Sequence, residues 1–322
     1  MNSYVPVPDW RAAVQRVGGQ TVAGHVVEAV PAGLAVRPAG PAPIATHTWP
    51  HALPPERARP QLILASPNVP VAALAVVIAA LPERIRRLLR LVSMNGRALL
   101  QTGQALADLL GSDVRVAVGA PRLLDEGGLG GASAGDATAE LGMVDADGRF
   151  WRPFAQTIVC SPTVEGGDPR VRVTEWQVPP ALRSETEPEA LKLGEYSKAV
   201  VTPAGLWIGP GDSEPPLVAI TRPSSSEDLA IDLGTPHQPL DDCLWPGLDG
   251  LFELLESEMR ERIVIHVHGA LDPQDHEHLL ELCVRHGLRP ADRRASTRPT
   301  LAAHHSVSER HDVDENHRAG AE

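Results

Sequence analysis

The feature that most constrains this chain is an alternation of short apolar runs with longer segments of helical period, present over residues 61–119 and again over residues 229–287. In the first stretch QLILAS is closed by Pro67 and Asn68, and an Ala/Val-rich segment over residues 70–81 follows it. LLRLVSM is the next apolar run. NGRALLQTGQALADLLG then places Leu99, Leu100, Ala105, Leu109 and Leu110 near one helical face, between an N-cap at Asn95 and a stop at Gly111. VRVAVG alternates apolar with polar or small residues. Strands joined by helices pair in parallel, because a crossover of that length returns the chain to the same end of the sheet. The stretch predicts a strand, helix, strand, helix, strand unit with right-handed crossovers and strand order 2-1-3.

In the second stretch LAIDLG ends at Thr235 and Pro236, and Leu248, Leu251, Phe252, Leu255 and Met259 recur at helical spacing. RIVIHVHG is a further strand, followed by a helix that starts at Asp272 and Pro273 and stops at Gly287. The two stretches are read as alike in pattern only, with no residue-level repeat.

Between them the period changes. After the Gly-rich EGGLGGASAG come VDADGR, TIVC, VRVTEWQV, KAVVTPAGLWIG and PLVAI, short β segments without intervening helices, which predict an antiparallel meander. Residues 1–58 are rich in Pro and Ala and are read as a flexible arm with one short helix near its start. Residues 291–322 form a polar tail with little to bury and are expected to be disordered. The expected class is α/β: two βα-type units (59–125 and 226–290) flank a loop and β-rich segment (126–225), giving a three-layer Rossmann-like core with disordered termini.

Charge excludes several partners. With 29 Lys and Arg against 41 Asp and Glu, the formal charge is −12, which repels a phosphate backbone. The dense basic run Arg84, Arg86, Arg87 and Arg90 is read as the solvated end of a helix. Cys160, Cys243 and Cys283 form no CxxC pair, and MNSYVPVPDW has no basic and apolar leader pattern, so a reduced, cytoplasmic protein is expected. The longest apolar run, residues 69–81, is shorter than the ~20 residues that span a bilayer, so no membrane association is expected.

Three constellations carry chemistry. GASAG, residues 131–135, has the GxSxG spacing of a nucleophile elbow, and Asp232 with His266 or His268 follows in the order of an α/β-hydrolase triad. An elbow needs a strand running directly into the turn, whereas DEGGLG precedes this one, so Ser133 is read as a loop residue and no catalytic residue is assigned. His266, His268, Asp272, Asp275, His276 and His278 are suitable metal donors. His266 and His268 are read as facing opposite sides of a strand, and no metal is assigned. No GxGxxG follows a strand and no GxxxxGK[ST] occurs, so no cofactor is expected. Ligands of open α/β sheets bind beyond the carboxyl ends of the strands. If both units share one sheet, Ser66, Asn95, Thr235, His237 and His268 gather along that edge as ligand-binding candidates.

LAIDLGTPHQPLDDCLWPGLDGLFELL and RIVIHVHGALDPQDHEHLLELCVRHGL, with MVDADGRFWRPFAQTIVCSP and TPAGLWIGP, resemble an uncharacterised α/β module of large multidomain proteins of high-GC Gram-positive bacteria, some of them toxin-like or secretion-linked. The resemblance covers about residues 60–290 and implies a fold and a lineage, without an activity. The expected function is a non-catalytic binding or scaffolding module with a protein partner. The alternative is an enzyme or ligand-binding protein acting on a nucleotide-like or small polar substrate at the sheet edge.

Overall fold

The computed structural model describes residues 10–40, 43–46, 48–56, 58–124, 140–165, 167–178, 191–193 and 197–290. The Gly-rich loop with Ser133, most of the acidic segment after residue 178 and the tail from residue 291 lie outside the described residues. The chain is mixed α/β, as the alternation requires, and the strands among the described residues fall into three sheets.

Helix α1 (Trp10–Val17) leads into β1 (Thr21–Val22), β2 (His25–Val30) and β3 (Gly33–Pro38), and α2 (Trp49–Ala52) precedes β4 (Gln61–Leu64). Helices α3 (Val71–Ala79) and α4 (Glu83–Arg86) connect β4 to β5 (Arg90–Val92), and α5 (Gly96–Leu110) connects β5 to β6 (Val114–Ala117). The strands β7 (Ala120–Leu124), β8 (Glu140–Val144) and β9 (Phe150–Trp151) make a separate antiparallel sheet. The chain then returns through β10 (Ala155–Ser161) and β11 (Arg170–Trp176) to complete an eight-stranded first sheet, β1-β2-β3-β4-β5-β6-β10-β11.

The described residues between 10 and 58 are therefore part of the fold, where an arm was expected. Pro31 and Ala32 form the two-residue turn of a β2–β3 hairpin, and β3 pairs with β2 on one side and in parallel with β4 on the other. GLAVRP is too short and too proline-flanked to stand out as a strand, yet Leu34, Ala35 and Val36 are fully buried because β3 is interior. Arg90 departs from expectation in the same way. Its side chain is buried on β5, where it donates to Thr157 Oγ1 at 3.2 Å and pairs with Glu56 and, at 3.7 Å, with Glu175. This tethers the segment after α2 to the far side of the sheet, while Arg84, Arg86 and Arg87 stay exposed.

The second sheet contains β12 (Leu191–Lys192), β13 (Ser197–Thr202), β14 (Gly205–Pro210), β15 (Leu229–Leu233), β16 (Ile263–Val267) and β17 (Arg289–Pro290), in that order. Between these strands lie α6 (Leu217–Ile220), α7 (Leu244–Leu254), α8 (Ser257–Glu261) and α9 (Pro273–His286). The two βα units thus occupy different sheets, and the β-rich middle is divided among all three. The parallel strands of each sheet run in simple sequence order, so the expected 2-1-3 arrangement, and the switch point it would create, does not form.

The two units are structural copies at residue level, which the sequence reading denied. Each is a hairpin closed by Pro-Ala-Gly-Leu, followed by three parallel strands with two helices in the first crossover and one in the second. The row Leu34, Leu62, Leu91, Val116 in the first sheet is matched by Leu206, Ile231, Ile265, Pro290 in the second. Leu74 and Leu248, Val77 and Leu251, Ile78 and Phe252, Leu81 and Leu255, and Ile85 and Met259 are buried at equivalent positions in the helices and the links between them. Gly111 and Gly287 end α5 and α9 in the same left-handed cap. A Cβ on Gly33 would lie 2.1 Å from Gln61 O, and one on Gly205 2.0 Å from Ala230 O, so the same close approach of hairpin to strand fixes glycine in both copies.

Candidate functional site

The faces of the two sheets opposite the helical core diverge. In the first copy Ala35, Ile63 and Val92 stand side by side on β3, β4 and β5 and pack with Ala117, Leu53, Ile44, Trp49 and Met94 into a second apolar cluster. The same register in the second copy reads Trp207, Asp232 and His266, and His268 takes the place of Met94. The segment between β14 and β15 replaces the one carrying α2 and contributes Arg222 to this face.

Asp232 is wholly buried in the middle of an otherwise apolar strand. Its Oδ1 is 2.7 Å from His268 Nε2 and accepts from Arg222 Nη2 at 2.9 Å. Burial alone would raise the carboxyl pKa, but the hydrogen bond from His268 and the Arg222 charge outweigh it and hold the group below its ordinary value. His266, next to it on β16, is pushed down by burial and by Arg222, so its ring is held neutral. Trp207 Nε1 donates to Gly234 O at 2.9 Å, and its ring lies over Gly209, where a Cβ would come within 2.2 Å of the indole. Three buried polar atoms here, Asp232 Oδ2, Arg222 Nε and Thr235 Oγ1, have no hydrogen-bond partner among the described residues. A half-satisfied buried cluster is costly to keep, and such groups concentrate at functional sites.

Of the five expected ligand residues, Thr235, His237 and His268 lie at the carboxyl ends of β15 and β16, whereas Ser66 and Asn95 lie at those of β4 and β5 in the other sheet. The single shared edge that would have united them does not exist. His237 is exposed and takes a positive φ of 67°. Asn95 caps α5 by accepting from Ala98 N at 3.3 Å and borders a cavity of about 260 Å³ with Gly119, Asp145 and Ser224, on whose wall none of the other four appears. His266 and His268 are two residues apart and share a face, the opposite of the expected arrangement. Asp272 and Asp275 spend their carboxylates in the capping box of α9, and Asp275 also accepts from Trp245 Nε1 at 3.2 Å. Among the described residues no group of three or more His, Cys, Asp and Glu is placed to hold a metal.

Sequence reasoning named Asp232 only as a follower of Ser133, named His266 also as a metal donor and His268 also as a metal donor and an edge ligand, and missed Arg222 and Trp207. An aspartate at the centre of LAIDLG was itself a signal, because a buried carboxylate needs donors supplied from elsewhere in the fold. Arg222 gives no such signal, since only the path of the chain between β14 and β15 brings it there. A larger groove, about 490 Å³, lies elsewhere, against α4 and β6. Glu83 and Asp113 interleave with Arg86, Arg87 and Arg115 along it and leave no field of one sign.

Fold and site together define a mixed α/β protein of duplicated design, in which one copy keeps an apolar face and the other a buried Asp–His–Arg cluster. No protein-family model, no curated protein and no solved structure matches the chain.

Proposed function

We propose that the chain is a non-catalytic binding module of the cytoplasm whose recognition point is the polar face of the second copy. The observation that carries this reading is the asymmetry between equivalent positions. Ile63, Val92 and Met94 show that this face closes well with apolar side chains, so Asp232, His266 and His268 are not required by the fold. Well-packed apolar residues are often as stable as a buried ion pair, which leaves selection for binding as the reason to keep the cluster. Asp232 Oδ2 offers an acceptor and Arg222 Nε a donor, so the matching group is small and polar and carries both. A side chain of a protein partner or a small polar ligand meets that description. Among the described residues no serine, threonine or cysteine hydrogen-bonds to His268, and Ser133 lies outside them. The three cysteines are free, in keeping with a reducing compartment.

The test exchanges the residues of one copy for those of the other: Asp232→Ile, His266→Val and His268→Met, with Arg222→Met so that no charge is left unpaired. The variant should melt cooperatively and lose whatever the wild-type chain retains through native purification, read by native mass spectrometry. Retention of the same molecule by both proteins would refute the proposal.

A further inference from the structure

A cavity of about 430 Å³ opens at the amino ends of β15 and β16, whereas Thr235 and His268 follow the carboxyl ends of the same strands. Its wall includes Arg149 and Trp151 at β9, Glu227 ahead of β15, and Glu258, Glu261 and Arg262 on or just after α8. That volume is within the range of about 300–1,000 Å³ in which small molecules are held. The Arg262 guanidinium lies over the Trp151 ring, 5.2 Å from its centroid, and Nη2 donates to Ser225 O at 3.1 Å. Arg262 Nε and Trp151 Nε1 are both buried, and neither has an acceptor among the described residues. Trp151 as a whole is only 4% exposed. Donors that have lost water and gained no protein partner are costly, and two of them on one cavity wall call for an acceptor from outside the chain.

Charge narrows what that acceptor is. Burial pushes the Arg262 pKa down, Glu258 pulls it up and Arg149 lowers it further, so the two guanidiniums act on one another. Neither side chain forms an ion pair among the described residues, and Arg289, which also borders the cavity, is already paired with Asp228 at 3.3 Å. The fold does not demand Arg262: counted from the matched residues Ile85 and Met259, its position in the first copy is taken by Leu88. Two unpaired guanidiniums and an indole N–H suit a carboxylate. Glu227, Glu258 and Glu261 are exposed and likewise form no ion pair among the described residues, and their three charges outnumber those of Arg149 and Arg262. They repel a multiply charged anion such as phosphate and attract ammonium groups on the molecule that carries the carboxylate.

We infer that the cavity beside Trp151 binds a small basic amino acid, with its carboxylate on Arg149, Arg262 and the Trp151 indole and its ammonium groups among Glu227, Glu258 and Glu261. The site is separate from the Asp232 cluster. Isothermal titration calorimetry of the full chain should show saturable binding of L-lysine. Cadaverine, which lacks the carboxylate, and propionate, which lacks both ammonium groups, should bind much more weakly. Arg149→Leu removes an exposed side chain and should weaken L-lysine binding by ~10-fold or more at an unchanged melting temperature. Arg262→Leu, which installs the residue of the first copy, and Trp151→Phe, which removes only the indole donor and part of the ring, should weaken it too. Three results overturn the inference: no saturable heat with L-lysine at millimolar concentration, cadaverine or inorganic phosphate binding as tightly as L-lysine, or unchanged L-lysine binding in both Arg149→Leu and Arg262→Leu.

Discussion

At the scale of single residues, Asp232 and His266 tie this protein's stability to pH in two separate windows. His266 is harder to protonate folded than unfolded, so below its unfolded pKa of about 6.5 the unfolded chain takes up a proton that the native state refuses, and stability falls. Asp232 is depressed, so its contribution is complete at neutral pH and is lost as the pH drops from about 4 through its lower folded value. Urea midpoints measured from pH 7.5 to 5 should decline in the wild type, and His266→Val should flatten that decline while leaving the acid window intact. Asp232→Ala should cost about 1–3 kcal/mol in the same assay at pH 7, because it strips His268 and Arg222 of their shared acceptor. A loss within experimental error would mean that the cluster is solvated in the native state.

Among elements, the two Pro-Ala-Gly-Leu hairpins are the most demanding pieces. Each must lay its second strand beside a parallel neighbour so closely that the glycine at the start leaves no room for a methyl group. The obstruction at 2.0–2.1 Å is backbone oxygen, which cannot swing aside as a side chain would. Gly33→Ala and Gly205→Ala should each destabilise by about 2 kcal/mol or more, since the strands must part or the turn must shift. Gly148→Ala, with open space around its Cβ but a φ of 79°, should be milder. Comparable losses at all three positions would show that backbone conformation outweighs close approach. The helices were the readable elements. Asn95 and Gly111 bound α5, and Asp272 and Gly287 bound α9, as their capping chemistry foretold, because caps are local and need no tertiary partner.

At the scale of the whole molecule, residues 10–40 are structural. Trp10, Val14 and Val17 of α1 pack in the main core, and β3 is an interior strand. Deleting residues 1–40 should therefore abolish cooperative unfolding, as monitored by circular dichroism and limited proteolysis; a truncated chain that still melts sharply would show that the sheet closes without β3. By itself the sequence determined what depends on neighbours along the chain: the α/β class, the helices with their caps, and the apolar strands at 61–64, 114–117, 229–233 and 263–267. Its lack of a long apolar run is matched in the structure, where among the described residues no helix is long and apolar enough to cross a membrane. Only the tertiary structure decided that β3 lies inside a sheet, that the two units occupy different sheets as copies, and that Arg222 meets Asp232. Each of these rests on pairing between segments far apart in the chain, and a six-residue strand or a lone arginine carries no local pattern that names its distant partner.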